Sequence, residues 1–81
     1  MKTVSHNSLH FPIIIEQDED DIFIVSCPIF KGCHTYGKTI EAAMDNIKEV
    51  IEMCLAEEKE SKEKTYHSKF IGFRELVVNE P

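Results

Sequence analysis

The stretch PIFKGCHTYGKTIEAA, residues 28–43, joins a predicted strand to a long predicted helix and decides the fold. Gly32 and Gly37 flank a short β-prone run, and glycine lets the backbone reach positive φ angles at which a Cβ atom would clash. Thr39 offers a hydroxyl to the free N–H groups of the first helical turn, and Glu41 places negative charge near the positive helix terminus. The stretch therefore predicts a tight strand–turn–helix connection.

The residues from Thr39 to about Glu60 predict a long amphipathic helix. Apolar side chains recur there at three- and four-residue steps, which places them on one stripe of a helix. The members of this stripe are Ile40, Ala43, Met44, Ile47, Val50, Ile51, Cys54 and Leu55. At 1.5 Å per residue the helix would be roughly 30 Å long, which fits a small sheet.

Four further segments have the alternation typical of strands. Leu9–Glu16 and Asp21–Cys27 are separated by the polar turn Gln17–Asp20, which indicates an antiparallel hairpin. Cys33–Tyr36 predicts a short third strand, and Phe70–Val78 predicts a last strand that a right-handed crossover would lay parallel to the first. The predicted fold class is α+β: a three-stranded antiparallel meander, one long helix packed on the sheet, and a final strand parallel to the first (β-β-β-α-β).

Composition limits the classes of partner. With 81 residues the chain is expected to form one domain, and its net charge of −6 argues against direct binding to nucleic acid. A basic protein partner fits this charge, although many cytosolic domains are mildly acidic without such a partner. Three cysteines, an odd number, suit a reducing cytoplasm, and no apolar run approaches the length that spans a membrane. We therefore expect a cytoplasmic protein that does not bind membranes.

Residues 28–43 resemble the signature of the HicB-like antitoxin family, and the resemblance extends over about residues 8–60. The family pattern is a proline after a strand, a Gly-Cys pair, Thr-x-Gly, and then Ser/Thr and an acidic residue ahead of an Ala-containing helix start. The matching residues are Pro28, Gly32, Cys33, Thr35, Gly37, Thr39, Glu41 and Ala43. One departure is Ala42, where the family often has a second acid, so the reciprocal half of a capping box is missing.

The resemblance implies a degenerate RNase H-like half-domain with an antitoxin function. In the family, such a domain inhibits a small basic mRNA-cleaving toxin of the HicA type by occluding its RNA-binding surface. Family members often carry a C-terminal DNA-binding domain, for which the sequence before Pro81 has no room. We therefore expect a single HicB-like domain, residues 1–81, without a DNA-binding domain.

Catalytic and metal sites have little support in the sequence. A two-metal nuclease needs carboxylates that converge from strand centres and a helix, whereas the acids here cluster in one turn, 18–21. Cys27, Cys33 and His34 lack the two close ligand pairs of a structural zinc site, and adjacent residues of a strand point to opposite faces. We expect buried thiols, no enzymatic activity, no metal and no cofactor.

Six residues are candidates for contact with a toxin: Glu16, Asp18, Asp20, Asp21, Phe30 and Tyr36. A block of carboxylates is commonly a solvated hairpin tip, but it could also steer a basic surface. The aromatic residues Phe30 and Tyr36 could belong either to the interface or to the core. The predicted last strand would leave an exposed edge, which favours a homodimer, and a solitary regulatory homodimer without a toxin is the alternative function.

Overall fold

The computed structural model describes residues 9–61 and 68–80, and in these ranges it contains three strands and one helix. The elements are β1 (Ile14–Gln17), β2 (Phe23–Ser26), β3 (His34–Gly37) and α1 (Ile40–Ser61). Both strand pairs are antiparallel, and the sheet order is β1-β2-β3. The predicted α+β class, the three-stranded meander and the long helix are therefore confirmed. No helix in the described part of the chain is long and apolar enough to cross a bilayer.

The first two strands are shorter than predicted. The ladder of β1 begins at Ile14 rather than Leu9, and Pro12, which has no N–H to donate, lies in the part that stays outside the ladder. The predicted start of β2 at Asp21 is also wrong, because Asp21 adopts a left-handed conformation with φ of 62°. A residue in that conformation belongs to the turn and cannot continue a strand.

The predicted final strand parallel to β1 is not found, because residues 68–80 contain neither strand nor helix. We call this segment the arm. Its first backbone N–H, that of Ser68, donates to the carbonyl oxygen of Ile29 at 2.7 Å. From Ile71 onward its apolar side chains are open, and Phe73 is 93% exposed. The alternation of apolar residues shows that a segment can form a strand, but a strand also needs a neighbour that satisfies its backbone groups.

The core lies between α1 and one face of the sheet. Its buried members come from β2, from the connector and from one stripe of the helix: Val25, Cys27, Phe30, Cys33, Ala43, Ile47 and Ile51. Burial of this apolar surface is the main favourable term that holds the helix on the sheet. The apolar stripe predicted for the helix is thus confirmed at its centre.

The connector between β3 and α1 is held by a cap and by close packing. The hydroxyl of Thr39 accepts a hydrogen bond from the N–H of Ala42 at 3.0 Å, which is the predicted N-cap. Gly32 has the predicted positive φ, 73°, but Gly37 does not. A Cβ atom on Gly37 would lie 2.5 Å from the backbone nitrogen of Ala43, so glycine is needed there for space.

We predict that Gly37→Ala lowers the free energy of unfolding by about 2–3 kcal/mol, because β3 and the helix start would have to separate to admit the methyl group. Urea denaturation measures this loss. Gly32→Asn is the matched control: nothing lies within 4 Å of a Cβ at that position, and asparagine tolerates the left-handed conformation. Equal losses for the two variants would contradict the packing explanation.

Candidate partner-binding surface

One face of the sheet is left uncovered by the described residues. Val25 is fully buried on the helix side, and its partners in the ladder, Ile15 and Thr35, share that side. Because side chains alternate along a strand, the residues on either side of these three point to the opposite face. We call that opposite face the open face. Its members are Ile14, Glu16, Ile24, Ser26, His34 and Tyr36.

The open face consists of two rows that cross the three strands. Glu16, Ile24 and Tyr36 form one row, and Ile14, Ser26 and His34 form the other. Tyr36 is 66% exposed and Ile14 is 41% exposed, so large apolar and aromatic groups are accessible to a partner. Cross-strand neighbours lie roughly 5 Å apart, which makes each row a continuous contact strip.

The acidic turn that follows β1 has an ordered backbone. Oδ1 of Asp18 accepts hydrogen bonds from the N–H groups of Asp20 and Ile22, both at 2.9 Å. The N–H of Asp18 also donates to the carbonyl of Ile22 at 3.0 Å, which closes the loop. Asp18 therefore shapes the turn, while Glu19, Asp20 and Asp21 present exposed side chains at its tip.

The structure separates the six predicted contact residues into three groups. Glu16 and Tyr36 lie in the same row of the open face, and the three aspartates lie in the turn at the end of that face. Phe30 is 3% exposed and its ring packs 5.7 Å from that of Phe11, so it belongs to the core and offers no contact surface. Tyr36 is exposed and does not belong to the core, and its contact with a toxin stays a prediction.

Two residues near this surface were missed by sequence reasoning. In the sequence, Ile14 alternates with Pro12 and Glu16, and its apolar character in this otherwise polar or proline-containing row is the signal for an accessible contact. Asn46 donates its side-chain N–H to the carbonyl of Tyr36 at 2.8 Å, which fixes β3 against α1. Nothing in the sequence marks this bond, because Asn46 is one of several polar residues off the apolar stripe.

The three cysteines, Cys27, Cys33 and Cys54, lie near one another, and the first two are buried. Burial, together with nearby Cys27 and Cys54, raises the pKa of Cys33 to about 11, so this thiol stays protonated near neutral pH. A protonated thiol is neither a strong nucleophile nor a metal ligand. In residues 9–61 and 68–80, no group of three His, Cys, Asp or Glu side chains is arranged to hold a metal ion. Cys27 and Cys33 are buried members of the core.

The raised pKa of Cys33 gives a pH dependence of stability. The unfolded thiol loses its proton near pH 9.0, whereas the folded thiol keeps it until about pH 11. High pH therefore favours the unfolded state, and we expect a loss of about 2 kcal/mol between pH 9 and 11. Urea denaturation of the wild type and of Cys33→Ala isolates this contribution from that of other groups. Parallel pH profiles for the two proteins would contradict it.

The turn geometry predicts different effects for two substitutions at Asp18. Asp18→Ala removes the acceptor of two hydrogen bonds and should cost about 1 kcal/mol of unfolding free energy. Asp18→Asn keeps a carbonyl oxygen at the same place and should remain close to the wild type. Chemical denaturation at pH 7 measures both. If Asp18→Asn lowered the free energy of unfolding as much as Asp18→Ala does, the charge of Asp18 and not its hydrogen bonds would stabilise the turn.

Comparison with known proteins gives the family of the chain. The model of the HicB-like antitoxin of bacterial toxin–antitoxin systems matches residues 11–75. A UPF0150 protein of Synechocystis sp. is 47% identical over 73 residues, covering 89% of this chain and 99% of the relative. A UPF0150 protein of Archaeoglobus fulgidus is 37% identical over 70 residues, covering 86% of this chain and 96% of the relative. No solved structure matches. The chain belongs to the HicB-like antitoxin family.

Proposed function

We propose that this protein is an antitoxin that binds a small basic mRNA-cleaving toxin of the HicA type and occludes its RNA-binding surface. Family membership supports an antitoxin role. The observation that carries the finer proposal is the open face, which presents exposed Tyr36, Ile14 and Glu16 and has the acidic turn at one end. A basic RNA-binding surface has the complementary charge.

The two parts of this surface would contribute differently to binding. An exposed aromatic residue in a contact area often supplies a large share of the affinity, and Tyr36, on the edge strand β3, is exposed on this face. Carboxylates at the edge of an interface mainly accelerate association and make it dependent on salt. Glu19, Asp20 and Asp21 would therefore guide the toxin, and the open face would hold it.

Binding of this kind needs no reaction centre. The carboxylates of the turn are exposed at the tip of a hairpin, and Asp18 is occupied with the backbone N–H groups of its own loop. We propose a non-enzymatic protein without metal or cofactor, acting in the cytoplasm and not contacting nucleic acid directly. Its net charge of −6 fits that role.

A homodimer is part of the proposal, and a solitary regulatory homodimer without a toxin is the second candidate function. The specific observation that favours self-association is the exposure of the apolar side chains of the arm. The identity of the adjacent reading frame separates the candidates: a small basic protein beside this gene favours the antitoxin, and its absence favours the regulator.

Binding of the purified chain to that small basic protein tests the antitoxin function. We expect Tyr36→Ala to weaken the complex by about 10–100-fold through faster dissociation. We expect the triple variant Glu19→Gln, Asp20→Asn, Asp21→Asn to slow association at low salt and to flatten its salt dependence. Surface plasmon resonance at several salt concentrations measures both rates.

The matched control removes three acids from the exposed side of α1, namely Glu49→Gln, Glu57→Gln and Glu60→Gln. It changes the net charge by the same amount as the turn variant. If the helix variant slows association as much as the turn variant does, the acidic turn has no special place in the interface. If the wild type does not bind a basic neighbour at all, the antitoxin proposal fails.

A further inference from the structure

The arm exposes more apolar surface than an isolated chain normally tolerates. Five of its side chains are between 75% and 93% exposed, and a sixth, Phe70, is 37% exposed. The five are Ile71, Phe73, Leu76, Val77 and Val78. Residues of this size leave on the order of 800–900 Å² open together, which is what each partner contributes to an interface of standard size.

The sheet offers the arm a free edge at β1. In the described residues β1 and β3 each pair with β2 alone, so both are edge strands. At β3 the carbonyl of Tyr36 already accepts a hydrogen bond from Asn46 of α1, which leaves β1 as the more open of the two edges. An unpaired edge presents backbone N–H and C=O groups that a further strand can satisfy. The edge at β1 is therefore a suitable place for an added strand.

An apolar groove lies between α1 and the segment that precedes β1. It has a volume of about 510 Å³. Its apolar lining is Leu9, Phe11, Ile13, Met44, Ile47, Ile51 and Leu55, and its charged lining is Asp45, Lys48 and Glu52. These side chains belong to the helix side of the molecule, so a strand added beside β1 would send every second side chain towards them.

We propose that the arm of one copy pairs with the β1 edge of a second copy and places Ile71, Phe73 and Val77 in its groove. These three residues alternate along the arm and would share one face of a strand. Each copy would give one arm and receive one, which closes a twofold dimer. The fourth strand of each sheet would then come from the partner.

The charges of the arm permit this pairing. The charged residues of the arm are Lys69, Arg74, Glu75 and Glu80, so the arm is neutral overall. It therefore meets no net repulsion from the acidic remainder of a second copy. On a strand, Arg74 would point away from the groove, to the side where the neighbouring strand presents Glu16. Arg74 thus finds an opposite charge. Glu75 would share the face of the three apolar residues and approach the groove, which is lined by Lys48 but also by Asp45 and Glu52, so its charge does not favour the pairing.

The path of the arm favours pairing with the sheet of a second copy over pairing with the sheet of its own chain. Ser68, Lys69 and Phe70 line a cavity with residues 10–12, close to the start of β1, and from Ile71 onward the side chains are open. An arm that leaves its own body buries its apolar residues by contact with another molecule.

The experiment uses the full chain and size-exclusion chromatography with light scattering. The wild type is expected to be a dimer. Phe73→Asp changes a residue that is 93% exposed, leaves the body intact and should weaken the dimer at least 100-fold. Ile15→Asp and Leu9→Asp change the receiving side and should also give monomers. Met53→Asp, on an exposed residue of α1, is the matched control and should remain a dimer.

Mixing the two variants distinguishes a dimer formed by arm exchange from dimers that use other surfaces. Phe73→Asp keeps its groove and Ile15→Asp keeps its arm, so the two together can form one arm–groove contact that neither forms alone. Native mass spectrometry should detect this mixed dimer, and circular dichroism checks the fold of each variant. A monomeric wild type, a dimeric Phe73→Asp or the absence of the mixed dimer would overturn the proposal. Tyr36→Ala should leave the dimer unchanged, so a failed toxin interaction and a failed arm exchange are separate results.

Discussion

The contact between β3 and the first turn of α1 at Gly37 is the constraint on which the rest of the structure depends. There is no room for a side chain, since an added Cβ would meet the backbone of Ala43. The cap at Thr39 starts the helix at this point, and Asn46 holds the carbonyl of Tyr36 one helical turn further on. Together they fix the direction of α1 and place its apolar stripe over Val25.

This placement determines which surfaces remain available. Because α1 covers one face of the sheet, the opposite face, with Tyr36 and Glu16, is left open in the described part of the chain. In the described residues β1 and β3 are both edge strands, and at β3 the carbonyl of Tyr36 is bonded to Asn46, so β1 is the more open edge. A single close contact thus leaves a face and an edge open, and these two surfaces contain different residues.

Local features were predictable from the sequence and long-range ones were not. The helix and its Thr39 cap depend on neighbouring residues and were predicted correctly. The arm has the pattern of a strand, but its pairing depends on a neighbour that the pattern cannot identify. For the same reason, Phe30 and Tyr36 could not be assigned to core or surface, because alternation does not tell which face of a sheet is covered. The hydrogen bond from Asn46 to the carbonyl of Tyr36 joins two elements that only the fold brings together, so no local pattern predicts it.

Charge explains how two open surfaces in one small domain can avoid competing for the same partner. The open face borders the acidic turn, so two copies that approached each other through this face would bring like charges together. The arm is neutral and meets no such barrier at the β1 edge of another copy. A basic partner, in contrast, is attracted to the turn. The distribution of carboxylates would thus direct self-association to the edge and reserve the face for a positively charged protein.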